Sequence, residues 1–350
     1  MISNEVNFRA NQFVLKNLVW FLIIAFGWSW SINSLFTSGL LELPADLGTA
    51  NMDIASVGLI LLILIIMPFG PTISAFIIIG KTEGRNGVSS LWKRFWNRQI
   101  TAEWLLTTLL FFPMYFLLVR FSAFILSIEQ PAFWIFREPW LFVPPFLASI
   151  LHGGLSEEFG WRGYALTNLQ AKLDATSSSI TLGVIEGIWH IPLAFMPGYA
   201  GWEGRALIVF FVFWIPVSIS RTWIFNNSNG SVLAASLFHA MGNTATILVP
   251  INVVELIPSD MGYIYLTLVY IPVVVTIVLL FGYKTLVRSP RTQNNVSQYV
   301  HMYLDALTSI FRRNKTIKTS LNTPTVDGNL KRSAANSPET SLKHSWGDVT

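Results

Sequence analysis

The sequence predicts an all-α fold, a polytopic membrane helical bundle of about eight transmembrane helices. Three observations carry this expectation. Of the 350 residues, 52% are hydrophobic and only 12% charged, about half the charged share of an ordinary soluble domain. Mean hydropathy is +0.52. Apolar runs of about 20 residues, the length that crosses a bilayer core as a helix, recur along residues 1–287.

Taken in order, the expected spans are 13–36, 55–80, 102–127, 140–168, 177–195, 205–225, 231–250 and 260–286. The first is too long for the apolar core of a signal peptide, and no A-x-A-like site follows it, so it reads as a retained span. The second, with SVGLILLILIIMPFG, and the last, with YLTLVYIPVVVTIVLLFG, are the purest. The fourth to seventh are less pure and hold the polar residues. Fourteen Trp and nine Tyr suit the headgroup level of a bilayer partner.

Connections set the orientation. Segment 81–98 has five Lys or Arg and one Glu and is expected as a cytoplasmic loop, whereas 37–54 has Glu42, Asp46 and Asp53 with no basic residue. Alternation then puts Lys172 and the NNSNG turn at 226–230 inside, and Glu203, Arg205, Glu255 and Asp260 outside. Both termini are expected in the cytoplasm of a multi-pass cell-membrane protein. From about 288 to 350, Ser, Thr, Asn, Pro and Lys dominate, as expected of a disordered basic cytoplasmic tail. Within it, 296–313 could form an amphipathic helix on the inner leaflet. Nothing in the chain suggests an internal repeat, a soluble domain or a nucleic-acid partner, and the oligomeric state is not legible. The chain has no cysteine, which excludes thiol nucleophiles, Cys-ligated zinc and disulfides.

Ionisable residues inside spans are expensive and are functional candidates by default. Four groups qualify: Glu157, Glu158 and Arg162; Glu186 and His190; His239 and Asn243; and His152. Residues four apart share a helix face, so Glu158–Arg162, Glu186–His190 and His239–Asn243 are each facing pairs. Each group lies about 12 to 21 Å from the cytoplasmic end of its span at 1.5 Å per residue, near the midplane. None can face lipid, so the three helices are expected to meet around a wet cavity.

Two imidazoles and a carboxylate can hold a divalent metal with an open position, or position a water directly, while a second carboxylate takes its proton. An amide such as that of Asn243 can donate to a developing oxyanion. This combination points to amide hydrolysis within the membrane. No HExxH is present, which removes the zincin arrangement. Nor are there paired intramembrane aspartates, and Ser156 in GLSE lacks the glycine expected after a rhomboid-type serine.

At these residues the chain resembles the CPBP intramembrane metalloproteases, which include type II CAAX prenyl proteases and bacterial bacteriocin-processing or immunity homologues. The family pattern is EExxxR, then FxxxH, then HxxxN; here EEFGWR is 157–162, the second motif ends at His190, and HAMGN is 239–243. The resemblance covers about 140–250, the expected catalytic core. It implies a glutamate-dependent metalloendopeptidase acting on a peptide or membrane-protein substrate, prenylated in the eukaryotic members. Glu157 would activate water, and Glu158 would support it while pairing with Arg162. His190 and His239 would orient the water or, with Glu157, ligate a divalent metal, most readily zinc. Asn243 would stabilise the oxyanion. One departure stands out: Glu186 occupies the place of the family's usual aromatic, adding a candidate metal ligand. Two other classes compete with the protease: a catalytically silent scaffold or immunity protein of the same fold, and a proton-coupled transporter.

Overall fold

The computed structural model describes residues 2–40, most of 58–96, 100–195, 205–251 and 259–288. Among the described residues there is no strand, and the architecture is the expected membrane helical bundle. The helices are α1 (Ile2–Thr37), α2 (Gly70–Thr82), α3 (Gly84–Phe95), α4 (Ala102–Ile125), a broken run α5 over 143–170, α6 (Ala175–His190), α7 (Arg205–Asn227), α8 (Val232–Leu248) and α9 (Ser259–Phe281). By length and composition, Leu15–Thr37, Ala102–Ile125 and Gly262–Phe281 can each cross a membrane, and Val232–Leu248 is a shorter apolar helix. The expected count of eight spans is therefore not fixed by the helices described. The proposed tail and its 296–313 helix lie outside the described residues, as do most of the outward loop 37–54, Glu203 and Glu255.

Helix starts follow local chemistry. Thr101, Asp174 and Ser231 precede α4, α6 and α8, and each accepts a backbone N–H from three residues on, satisfying a donor that the first turn leaves unpaired. The Ser177 backbone N–H and hydroxyl, at 2.9 and 2.7 Å, hold the Asp174 carboxyl below the usual carboxylate range.

One departure from expectation is α3, which occupies the basic segment read as a loop. Val88, Leu91 and Phe95 fall on one face at helical spacing, and Leu91 is buried. That is enough apolar surface to fold the segment against the bundle. Trp92 stacks on Phe159 of α5 with ring centroids 5.6 Å apart, and Arg94 donates to the Gly163 carbonyl at 2.8 Å.

The expected span 140–168 is helical but not continuous. Val143–Ser149 leads into a π turn, Ile150–Leu155, and a second π turn, Trp161–Leu166, follows Ser156–Gly160. His152 (φ −90°, ψ 100°) and Gly153 (φ 106°, ψ −62°) leave helical geometry altogether, a left-handed excursion that glycine alone makes cheaply. The helix restarts with the Gly153 N–H donating to Ser156 Oγ at 2.7 Å, which caps the new first turn. Neighbouring helices tie the break down. Thr72 Oγ1 on α2 donates to the Leu155 carbonyl at 2.8 Å, and Ser236 Oγ on α8 donates to the Gly154 carbonyl at 3.0 Å.

Close helix approaches use small residues, as membrane bundles do where apolar burial gives no preference for protein over lipid. Gly160 lies directly against the backbone of Pro71, and Gly183 meets Ile215 Cα and Ser218 Cβ, with 3.0 Å left for any added Cβ. Two aromatic-rich clusters flank the broken helix. One is built on Phe112, Phe238, Trp223 and Tyr270, the other on Phe21, Phe159, Trp161 and Leu182. Gly160→Ala should therefore force α5 away from α2. The expected cost is about 1–3 kcal/mol, read as a lower melting temperature of the protein purified in detergent. A variant melting with the wild type would contradict so close a contact.

Candidate active site

The restarted half of α5 carries Glu157, Glu158 and Arg162, all buried. Glu186 and His190 come from the last turns of α6, and His239 from the middle of α8. The structure thus brings together three of the polar groups picked out by spacing, around one buried cluster.

At its centre are two carboxylates and two guanidiniums. Arg162 Nη1 is 2.5 Å from Glu186 Oε1 and 3.4 Å from Glu158 Oε2. Arg221 Nη1, from α7, is 3.2 Å from Glu186 Oε2 and 3.7 Å from Glu158 Oε1. Arg162 Nη2 also donates to Ser218 Oγ at 3.3 Å. Two positive and two negative charges leave this quartet neutral, the condition under which charge can be held away from water.

The imidazoles sit at its edges, and each has its Nδ1 secured. His239 Nδ1 donates to Glu158 Oε1 at 2.7 Å, and His190 Nδ1 donates to the Glu186 carbonyl at 2.7 Å. A backbone carbonyl and the ionised Glu158 carboxylate of the quartet only accept, so both neutral rings carry the proton on Nδ1 and present Nε2 as an acceptor. Trp214 stacks on His190 with centroids 4.2 Å apart, and Trp189 meets it edge-on at 4.6 Å.

Glu157 stands apart from the quartet. It is 4% exposed, its Oε2 has no hydrogen-bond partner among the described residues, and it forms no ion pair with any of them. The kink at Gly153 approaches α8 closely. A Cβ added at Gly153 would come within 2.8 Å of His239 Nε2 and 3.1 Å of Asn243 Nδ2, so the absence of a side chain there clears the approach to both. Asn243, one turn beyond His239, is exposed.

The donor set can be tested against the expected zinc. Secured Nδ1 atoms are the usual support for ligating imidazoles. Among the described residues, however, no three His, Asp or Glu side chains come together at metal-holding spacing. Glu186, the extra candidate ligand, is instead engaged by both arginines. The residues as placed do not fit a three-ligand metal site, and the mechanism below passes through none.

A family model for Type II CAAX prenyl endopeptidases, Rce1-like, matches residues 139–245. The match covers less than a third of the chain. The Rce1-like segment runs from just before α5 into α8 and contains every residue of the cluster. A relative named CAAX prenyl protease 2, from Methanococcus maripaludis, is 32% identical over 104 residues, or 28% of this chain. The chain spans 38% of that relative's length.

Arg221 is the member of the cluster that sequence reasoning missed. It lies near the expected cytoplasmic end of its span, where an arginine can reach the interface with its long stem. The available signal was Glu186, since a carboxylate at the midplane in place of an aromatic calls for a counter-charge on a neighbouring helix. Arg162→Gln would leave two buried carboxylates facing one guanidinium. It should destabilise the protein by roughly 3–5 kcal/mol, visible in thermal unfolding, and an unaltered melting temperature would contradict the quartet.

Proposed function

We propose that this protein is an intramembrane glutamate-dependent endopeptidase that hydrolyses a peptide bond of a membrane-associated substrate. The observation that carries the reading is Glu157: a buried carboxylate with an unpartnered oxygen beside a quartet whose charges already cancel. A structural carboxylate would be paired. One left unpaired on the same helix turn as Glu158, which holds the His239 ring, is suited to take a proton.

In this reading a water molecule points its protons at Glu157 and at an imidazole Nε2, which turns an oxygen lone pair toward the substrate carbonyl. Glu157 takes one proton as the water oxygen bonds to the carbonyl carbon. The oxyanion that forms accepts a hydrogen bond from Asn243 Nδ2. On collapse the C–N bond breaks and the proton held by Glu157 passes to the leaving nitrogen, giving a carboxylic acid and an amine. Glu158, fixed by Arg162 and Arg221, keeps His239 in the Nδ1–H tautomer throughout. The family match and the name of the curated relative support peptide hydrolysis as the chemistry. The substrate proposed is a peptide segment that reaches the site from the membrane, prenylated or not.

The test is cleavage of labelled C-terminal peptides, with and without a prenyl group, by protein purified into liposomes. Glu157→Gln is expected to lose about 10²–10⁴-fold in rate with an unchanged melting temperature. Asn243→Ala should lower kcat by about 10²–10³-fold with little change in KM. A folded Glu157→Gln variant that cleaves like wild type would overturn the mechanism, and a wild type that cleaves no peptide would favour a silent scaffold of the same fold.

A further inference from the structure

The mechanism so far uses Arg221 only to help fix Glu158 and gives Glu186 no role, yet together they place two further charges in the membrane interior. Either could have been apolar at lower cost. Arg221 lies at a junction. Its guanidinium reaches Glu186 at 3.2 Å and Glu158 at 3.7 Å, and it sits 4.9 Å above the Trp214 ring. Glu158 in turn accepts from His239 Nδ1 at 2.7 Å, and Trp214 stacks on His190 at 4.2 Å. One side chain therefore touches the group that sets each imidazole, although the two histidines come from different helices.

We infer that Arg221 is a positioning residue that fixes both imidazoles at once, through Glu158 on one side and Trp214 on the other, and that Glu186 is its counter-ion. The inference rests on the peptidase reading for its catalytic meaning, while its structural content is independent. A third carboxylate near Glu157 and Glu158 would be unfavourable without Arg221, and a second guanidinium beside Arg162 would be unfavourable without Glu186. The two residues belong together, and this accounts for a glutamate where the family's usual residue is aromatic. The planar fork of arginine matters as much as its charge, because one Nη1 lies between two carboxylates while the flat face covers an indole.

The experiment is a double-mutant cycle over Glu186→Gln and Arg221→Gln in the full chain, with Arg221→Lys alongside. Melting temperature in detergent reads the pairing. Each single variant is expected to melt lower than wild type and the double variant to recover most of the loss. Additive losses would overturn the pairing. The rate at which diethyl pyrocarbonate carbethoxylates His190 and His239, mapped by mass spectrometry, reads positioning without reference to activity. Both rings should react several-fold faster in the folded double variant, and rates equal to wild type would overturn the positioning role. Peptide cleavage adds a third readout. For the double variant and Arg221→Lys alike, kcat should fall on the order of tenfold to a hundredfold with KM held. If wild type cleaves nothing, the peptidase reading fails while the melting and carbethoxylation results still decide the role of Arg221.

Discussion

Four charges buried between three helices constrain everything around them. The guanidiniums of Arg162 and Arg221 lie 2.5 to 3.7 Å from the carboxylates of Glu158 and Glu186 across α5, α6 and α7, where neither lipid nor bulk water can compensate any one alone. Because the set is neutral, the helices that carry it must stay in register. A shift of one turn would leave a charge unpaired at a cost of several kcal/mol. The same set fixes the functional groups. Glu158 orients His239, the Glu186 backbone carbonyl orients His190, and Glu157 is left over. Stability and reactivity thus draw on a single arrangement, with the reactive carboxylate defined by its exclusion from it.

The broken helix makes that arrangement accessible. A side chain at 153 would place a Cβ within 2.8 Å of His239 Nε2 and 3.1 Å of Asn243 Nδ2. Glycine in its left-handed step avoids this, and Ser156, Thr72 and Ser236 take up the hydrogen-bonding capacity that the break releases. The π turn at Trp161–Leu166 contains Arg162. Such turns cluster at functional sites, and here the Arg94 contact to the Gly163 carbonyl braces this one from outside.

Much of this was legible in the sequence for a plain physical reason: charge in an apolar run is too costly to be accidental. That logic located Glu157, Glu158, Arg162, His190 and His239 and their meeting across three helices, and the length of the apolar runs gave the helical class. Three things escaped it. Arg221 was hidden because arginines near span ends are ordinary. The break at His152–Gly153 was hidden because a glycine pair in a membrane helix is as often a packing surface as a kink. The helix α3 was hidden because its charge pattern was weighed for topology while the Val88, Leu91, Phe95 period went unused. Glu186 was noticed without its arginine partners, because side-chain spacing within one helix carries no information about what the next helix presents.

The most direct measurement is a comparison of protein termini in membranes from cells carrying wild type or Glu157→Gln at matched expression. If the unpaired carboxylate activates water, new termini will appear on membrane-associated proteins with wild type alone, and their sequences will name the substrate. Identical termini in both cell lines, with Glu157→Gln still supporting whatever phenotype deletion removes, would contradict the hydrolytic role of Glu157 and leave the neutral quartet as the core of a scaffold.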